Sequence, residues 1–403
     1  MFHVKRPGSP LTEGLPGPYN LCWHFLPAVG GEKNSKRGGS GMAEHRGRVL
    51  VAMSGGVDSS VAAWLLKEQG YDCVGVTMKL FGNDAVGLDR GHPCCTLDDV
   101  EDAREVARRM GIPHYVFNFR DDFEEKVIRR FVGAYERGET PNPCIDCNRF
   151  LKFDRLYRRA VELKCDYIAT GHYAQIIADG TDNFRMAKAA DLSRDQSYVL
   201  YPIPRERLSR TLFPLGGLTK TEVRAIAERE GFVNARKHDS QDICFVPDGD
   251  YLAFMERYTG KAYPEGDIVD LDGRVVGRHR GAAGLTIGQR RGVGVSSSGR
   301  IYVCAKNMAD NTVTVGPEEA LYSTGCAAED WNWLIIPPDR PFEALAKTRY
   351  RQAEQPVTVA PEGDRVRLAF HRPQRAVTPG QAAVVYGGNG AVLGGGTITE
   401  VSQ

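Results

Sequence analysis

Two cysteines, Cys144 and Cys147, stand three positions apart in TPNPCIDCNRFLKFD, behind two prolines that stiffen the backbone and ahead of a basic, amphipathic segment. A third, Cys244, lies in HDSQDICFVPDGDY. Thiols at such spacing can bind a metal, close a disulfide, or carry sulfur as a reagent. A second group is AMSGGVDSS, residues 52–60. Gly55 and Gly56 let the backbone turn tightly and approach a ligand, and Ser54, Ser59 and Ser60 add hydroxyls. Loop amides joined to a helix start favour an anion. The pattern G-x-x-x-x-G-K-[ST] is absent, so this is not a Walker loop.

The elements around these groups alternate. RVLVAM (48–53) and DCVGVTM (72–78) are short and apolar, and DSSVAAWLLKEQG between them has helical spacing. TLDDVEDAREVARRMG follows, with Thr96 as N-cap and Gly111 as stop. HYVFNF, a helix near 121–137, a helix near 148–163 and the strand YIAT complete a pattern that predicts a parallel sheet covered on both faces. TKTEVRAIAEREG (219–231) is a helix with a Thr219/Glu222 capping box. From about 266 the period changes to two. DIVDLDGRVVG predicts a hairpin at Asp272-Gly273, and seven further strand-like runs predict a small antiparallel barrel or sandwich.

The whole chain sets outer bounds. Its 403 residues suffice for two or three domains, and 42% hydrophobic and 26% charged residues are ordinary for a globular protein. No apolar run reaches the roughly 18 residues of a spanning helix. With a net charge of +1, any nucleic-acid surface must be a local patch. Ten scattered cysteines without a secretory leader argue against a disulfide scaffold and for a reducing, cytoplasmic setting. Residues 1–41 carry five prolines and a loop-like GGEKNSKRGGSG, and read as a disordered extension or an over-long start ahead of Met42.

Ser-Gly-Gly-x-Asp-Ser resembles the pyrophosphate loop of ATP pyrophosphatases, which cut ATP between its α and β phosphates. In those enzymes the loop holds the leaving pyrophosphate, and Asp58 would organise Mg²⁺ or the loop itself. The further set PNPCIDCNRFLKF, ATGHYA, RDQSYVL, SQDICFV and LTIGQRRGVGV, in order, resembles the tRNA-specific 2-thiouridylases from about residue 48 to 403. That resemblance implies an α/β fold with a parallel-sheet ATP-pyrophosphatase domain (46–215), a small central domain (216–282) and a C-terminal antiparallel β-barrel that binds tRNA (283–403), after an extension at 1–45. It also implies an enzyme, a tRNA-uridine 2-sulfurtransferase. ATP and Mg²⁺ would adenylate C2 of the wobble uridine, and sulfur would then displace AMP.

Carried over by the same resemblance, Cys147 is the catalytic thiol and Cys244 the persulfide carrier, and the two can form a disulfide. The nucleotide pocket maps onto Ala52, Met53, Ser54, Gly55, Gly56, Val57, Asp58, Ser59, Met78 and Gly171. Contacts with the target base map onto Asn142, Pro143 and Cys144. Further tRNA contacts map onto Arg194, Asp195, Gln196, Arg349 and Tyr350. The implied partners are tRNAs for Lys, Glu and Gln and a cysteine desulfurase or sulfur-relay protein, with no membrane.

One position departs from the family. Many members have Asp where this chain has Cys144, and a thiol of pKa about 8.5 cannot replace a carboxylate of pKa about 4. Three thiols also match a [4Fe–4S] cluster with one open iron. Either Cys244 carries a persulfide that Cys147 releases, or Cys144, Cys147 and Cys244 ligate a cluster. The Cys-x-x-Cys spacing favours the second. A zinc site with three sulfurs and no neighbouring histidine is a poorer fit.

The remaining candidates read more plainly. Cys73, Cys304, Cys165 and Cys326 are expected in the core, and Cys94-Cys95 before a helix. His172 either touches nucleotide or base, or serves a structural hydrogen bond. Between 340 and 375, eight Arg or Lys stand against four acids, and the segment 148–163 adds Arg149, Lys152, Arg155, Arg158 and Arg159. Such patches suit RNA phosphates. Two other classes are an ATP pyrophosphatase using ammonia, which leaves Cys147 and Cys244 without a reason, and a non-catalytic binding protein, which leaves the intact SGGVDS loop without one.

Overall fold

A computed structural model describes residues 46–81, 97–180, 183–238, 243–295 and 299–403. The expected N-terminal extension, Cys94, Cys95 and the Thr96 cap lie outside the described residues. Strands β1 (Arg48–Ala52), β2 (Asp72–Lys79), β3 (His114–Asn118), β4 (Tyr167–Ala169) and β7 (Thr211–Leu212) form a five-stranded sheet in the order β3-β2-β1-β4-β7. Every pairing in it is parallel. A parallel sheet needs cover on both faces. Val49 and Val51 of β1 pack with α1 (Val57–Glu68), α2 (Leu97–Met110) and α8 (Lys220–Arg229), through residues such as Val61, Val106 and Val223. Leu50, Val74 and Val76 pack on the opposite face with Phe123, Phe131, Leu151 and Leu156.

Those last residues belong to two broken helices. One joins α3 (Arg120–Phe123) to α4 (Arg129–Glu136) through a π-helical stretch at Glu124–Ile128. The other joins α5 (Pro143–Asp146) to α6 (Leu156–Glu162) through a π-helical stretch at Cys147–Arg155. This second helix starts five residues before the 148 expected from sequence. Asn142 caps it, its side chain accepting from the Cys144 amide, and Pro143 takes the first-turn position. A proline there has no amide to leave unpaired. The Cys-x-x-Cys therefore sits in a helix start rather than in a loop before one. Between the helices and β7 lie a hairpin, β5 (Ala174–Ala178) with β6 (Phe184–Lys188), and the short α7 (Ser197–Leu200). At α8 the capping box forms as expected, Thr219 and Glu222 each accepting from the other's amide.

Beyond α9 (Tyr251–Thr259) the strand-like runs divide between two sheets. β8 (Gly266–Val269), β9 (Val275–His279), β10 (Tyr302–Asn307) and β11 (Thr312–Gly316) make a separate sheet in the order β10-β11-β8-β9, with the β8–β9 hairpin where it was expected. The pairing of β8 with β11 is parallel, which adjacent-strand reasoning does not anticipate. β12 (Tyr322–Trp333), β13 (Phe342–Lys347), β14 (Gln355–Glu362), β15 (Arg365–Arg375), β16 (Ala382–Tyr386) and β17 (Val392–Ser402) close into an antiparallel barrel. Its interior holds Cys326, Val357, Leu368, Val385 and Ile398. No described helix is long and apolar enough to cross a membrane.

The barrel docks on the cysteine-bearing helix. Ile145, Phe153, Tyr198 and Tyr201 share a buried cluster with Leu334, Val384 and Tyr386. Polar bonds fix the register: Tyr198 Oη donates to the Ala382 carbonyl at 2.8 Å, and Gln381 Nε2 to that of Thr140 at 2.7 Å.

Candidate active site

The chain leaves β1 towards β2 and β3 on one side and returns through β4 and β7 on the other. Ligands bind parallel sheets at the carboxyl ends of strands flanking such a reversal. The 53–56 turn lies at the end of β1, Met78 near the end of β2, and Gly171 just beyond β4. All the candidate nucleotide residues thus share one sheet edge.

Close approach explains two glycines. Gly55 has φ +76°, and a Cβ there would lie 2.2 Å from the Asp99 carbonyl oxygen. A Cβ on Gly171 would lie 2.7 Å from the Ser59 nitrogen, so the turn after β4 rests on the first turn of α1. Gly56 caps α1 without a side-chain acceptor, leaving first-turn amides for an anion. Ser59 Oγ accepts from the Ser54 amide at 3.1 Å and holds the turn closed.

Asp58 carries the loop's own negative charge. Lys220 Nζ lies 2.7 and 2.9 Å from its two oxygens, and Tyr173 Oη donates to it at 2.8 Å. In this conformation both carboxylate oxygens are engaged, Oδ1 by Lys220 and Tyr173 and Oδ2 by Lys220. A second tether joins the Gly55 carbonyl, which accepts from Asn234 Nδ2 at 2.9 Å and Lys237 Nζ at 3.4 Å, while Lys237 pairs with Asp99 and Asp102 at 2.6 Å. Sequence reasoning missed Lys220, Tyr173, Asn234 and Lys237. Lys220 carried one local signal, its place at the first position of a capped helix beside the loop's domain.

Cys147 and Cys244 are half-buried and pack against the same apolar cluster beneath the sheet, together with Phe150 and Ile243. Cys144 is exposed. Its negative form would raise the pKa of both Cys147 and Tyr350, so it lies at the helix start within reach of the barrel's Tyr350. Among the described residues, no three His, Cys, Asp or Glu side chains are grouped so as to hold a metal ion. Cys144, Cys147 and Cys244 are thus not assembled as cluster ligands in this conformation. Ser240, Gln241 and Asp242 of the SQDICFV motif lie outside the described residues.

Burial pushes the Cys147 thiol up to about 11, against the nearby Lys152 cation and with the help of Cys144 and Asp146. A raised pKa means less thiolate at a given pH. Alkylation of Cys147 in the resting protein should therefore climb about tenfold per pH unit from pH 8 to 10, without levelling near the ordinary thiol value of about 8.5. Iodoacetamide labelling read by peptide mass spectrometry checks this, and exposed Cys144 should label first. A Cys147 rate that levels below pH 9 would contradict the burial.

His172 makes two side-chain hydrogen bonds of the structural kind. Lys152 Nζ lies 3.2 Å from its Nε2, so Nδ1 carries the proton and donates to Thr170 Oγ1 at 2.7 Å. Burial, then the Lys152 charge, hold its pKa well below the usual histidine range.

The candidate RNA contacts divide. Asp195 is buried and accepts from the amides of Ala189 and Ser197 and from the Ser197 hydroxyl. Gln196 Oε1 accepts from the Tyr173 amide at 3.0 Å, which links this turn to Asp58 through Tyr173. Tyr350 and Asn142 remain at the surface near Cys144. In the basic barrel segment, Arg365, Arg367 and Arg375 pair with Glu400, Glu362 and Glu318. On the cysteine helix, Arg149, Arg155, Arg158 and Arg159 are all paired with acids. Much of the positive charge counted in sequence is thus already neutralised.

A parallel sheet with a glycine-serine phosphate loop at its reversal point defines a nucleotide-binding enzyme domain of the ATP-pyrophosphatase class. Three family models match in succession: "tRNA methyl transferase HUP domain" over 47–248, "tRNA methyl transferase PRC-barrel domain" over 252–317 and "Aminomethyltransferase beta-barrel domain" over 323–398. The chain is 49% identical over 358 residues to a tRNA-specific 2-thiouridylase MnmA of Symbiobacterium thermophilum, covering 87% of this chain and 92% of that one. It is 46% identical over 357 residues to that of Geotalea uraniireducens, covering 88% and 95%. It is 48% identical over 358 residues to that of Heliobacterium modesticaldum, covering 87% and 92%. The chain belongs to the tRNA-specific 2-thiouridylase family.

Proposed function

We propose that this chain is a tRNA-uridine 2-sulfurtransferase that activates C2 of the wobble uridine with ATP and replaces its oxygen with sulfur. Family membership supports the activity. The observation that carries the chemistry is that Cys147 and Cys244, distant in sequence, pack on one cluster beneath the phosphate-loop sheet.

In the first step the uridine O2 attacks the α-phosphorus of ATP, and the bond to the β-phosphate breaks. The open first turn of α1 and the loop amides receive the pyrophosphate charge, which is stabilisation aimed at the leaving group. Mg²⁺ bound to the ATP phosphates would add neutralising charge. In the second step the outer sulfur of a Cys244 persulfide attacks C2, and AMP leaves. The Cys147 thiolate then attacks the Cys244 sulfur, the sulfur–sulfur bond breaks, and sulfur stays on the base. A Cys147–Cys244 disulfide remains, which an external dithiol reduces with two electrons before a desulfurase or relay protein reloads Cys244. Since Cys147 is mostly protonated in the resting state, it must be drawn from its apolar seat or lose its proton as RNA binds.

The test is nucleoside mass spectrometry of unmodified tRNA for Lys, Glu or Gln after incubation with ATP, a desulfurase and cysteine. The expected product is 2-thiouridine at the wobble position, with one AMP and one pyrophosphate per sulfur. Thiolation without ATP consumption would refute the adenylate route.

A further inference from the structure

Arg349 projects from the turn after β13 into the boundary between the barrel and the central sheet. Its Nη2 donates to the Ile287 carbonyl at 2.9 Å and to Thr378 Oγ1 at 2.7 Å. Its Nε is buried with no hydrogen-bond partner. Both of these acceptors are neutral. Two of its five N–H donors are engaged in this way, and moving the guanidinium out would break both bonds.

What it holds is a built turn. The Gly288 amide donates to Val303 O at 2.8 Å, and the Val303 amide to Gln289 O at 3.0 Å. Gln289 closes the turn from within, Oε1 accepting from the Thr286 amide at 3.0 Å and Nε2 donating to Arg291 O at 3.0 Å. Gly288 has φ +85°, and a Cβ there would meet Ala376 at 2.8 Å, so the turn lies directly against the barrel. At its tip Arg290 and Arg291 are exposed, and among the described residues neither has a carboxylate partner. Exposed Arg351 follows two residues after Arg349 and likewise has none among the described residues.

We infer that Arg349 is a positioning residue: it clamps the 286–291 turn to the barrel so that Arg290 and Arg291 present two unpaired guanidinium groups to the phosphates of the RNA substrate. This rests on the proposed RNA-modifying function and departs from a direct Arg349–RNA contact. A phosphate contact contributes charge alone. A clamp contributes geometry, and its loss must act through the residues that it places.

The experiment is a mutant cycle on the full chain with an unmodified tRNA transcript, measuring affinity across a salt series. Each phosphate contact contributes about 0.7–0.9 to the slope of log affinity against log salt. Arg290→Ala with Arg291→Ala should lower the slope by about one to two and weaken binding at least tenfold. Arg349→Ala should do much the same, and the triple variant no more than the double. Arg349→Lys, which keeps the charge but not the fork to Ile287 and Thr378, should behave like Arg349→Ala and should speed tryptic cleavage after Arg290 and Arg291. A further slope loss of about one in the triple variant, or wild-type binding by Arg349→Lys, would overturn the clamp. Absence of salt-dependent tRNA binding by the unaltered protein would instead remove the RNA reading and this inference with it.

Discussion

Serine at Cys147, or at Cys244, should abolish 2-thiouridine formation, by about 10³-fold or more, while RNA-dependent release of pyrophosphate from ATP persists. Serine at Cys144 should leave thiolation within about threefold of normal. The asymmetry follows from placement. Cys147 and Cys244 are both half-buried against the large apolar cluster on one face of the sheet, whereas Cys144 is exposed near Tyr350. A hydroxyl cannot carry a persulfide or attack one, so either replacement removes a step with no substitute. The variant at Cys144 separates the two sulfur chemistries. A three-thiolate cluster needs all three residues, so loss in Cys144→Ser of both activity and the iron and sulfide that the unaltered protein retains after anaerobic reconstitution would reject the persulfide route. Nucleoside mass spectrometry gives the thiolation and a pyrophosphate assay the activation.

Alanine at Lys220 should slow adenylation by about 10²–10³-fold, in the range seen for removal of one preorganised charge from a leaving-group site. Lys220 is buried, and its ammonium is shared between both Asp58 oxygens beside the open start of α1. Without it Asp58 keeps Tyr173 and turns a bare negative charge towards the departing pyrophosphate. The variant should also lose about 1–3 kcal/mol of stability, less than for a fully buried pair because Asp58 is partly open to solvent. Arginine at 220 keeps the charge and should recover part of the rate. Pyrophosphate release measured well below the melting temperature separates chemistry from folding. Wild-type release by Lys220→Ala would show that Asp58 needs no counter-charge.

The phosphate loop was legible because its information is local. Tight turn, hydroxyls and helix start lie within nine residues and need no partner to be recognised. The capping box at Thr219 and Glu222 was legible for the same reason. The strands after 266 and the closing antiparallel barrel were legible, but the separate sheet of β8–β11 was not, because period two reports that a strand has two faces, not which strand it pairs with, and β8 pairs with β11 in parallel. Arginine counting overstated the RNA surface, since whether a charge is free depends on acids such as Glu318 and Glu400 elsewhere in the chain. Lys220 is 162 positions from Asp58, and nothing in either neighbourhood announces the other.

By itself, the order of residues determined a parallel sheet of the nucleotide-binding class, the glycine-serine loop at the end of its first strand, the strand-rich half that follows, and the three cysteines proposed for sulfur chemistry. Only the folded chain decided that two of those thiols are half-buried on one face of the sheet while the third is exposed, that Lys220 pairs with Asp58, and that Arg349 joins barrel to turn. The division has a physical cause. Turns, caps and strand periodicity arise from forces between near neighbours, whereas burial, ion pairing and thiol acidity depend on what tertiary packing brings within a few ångströms.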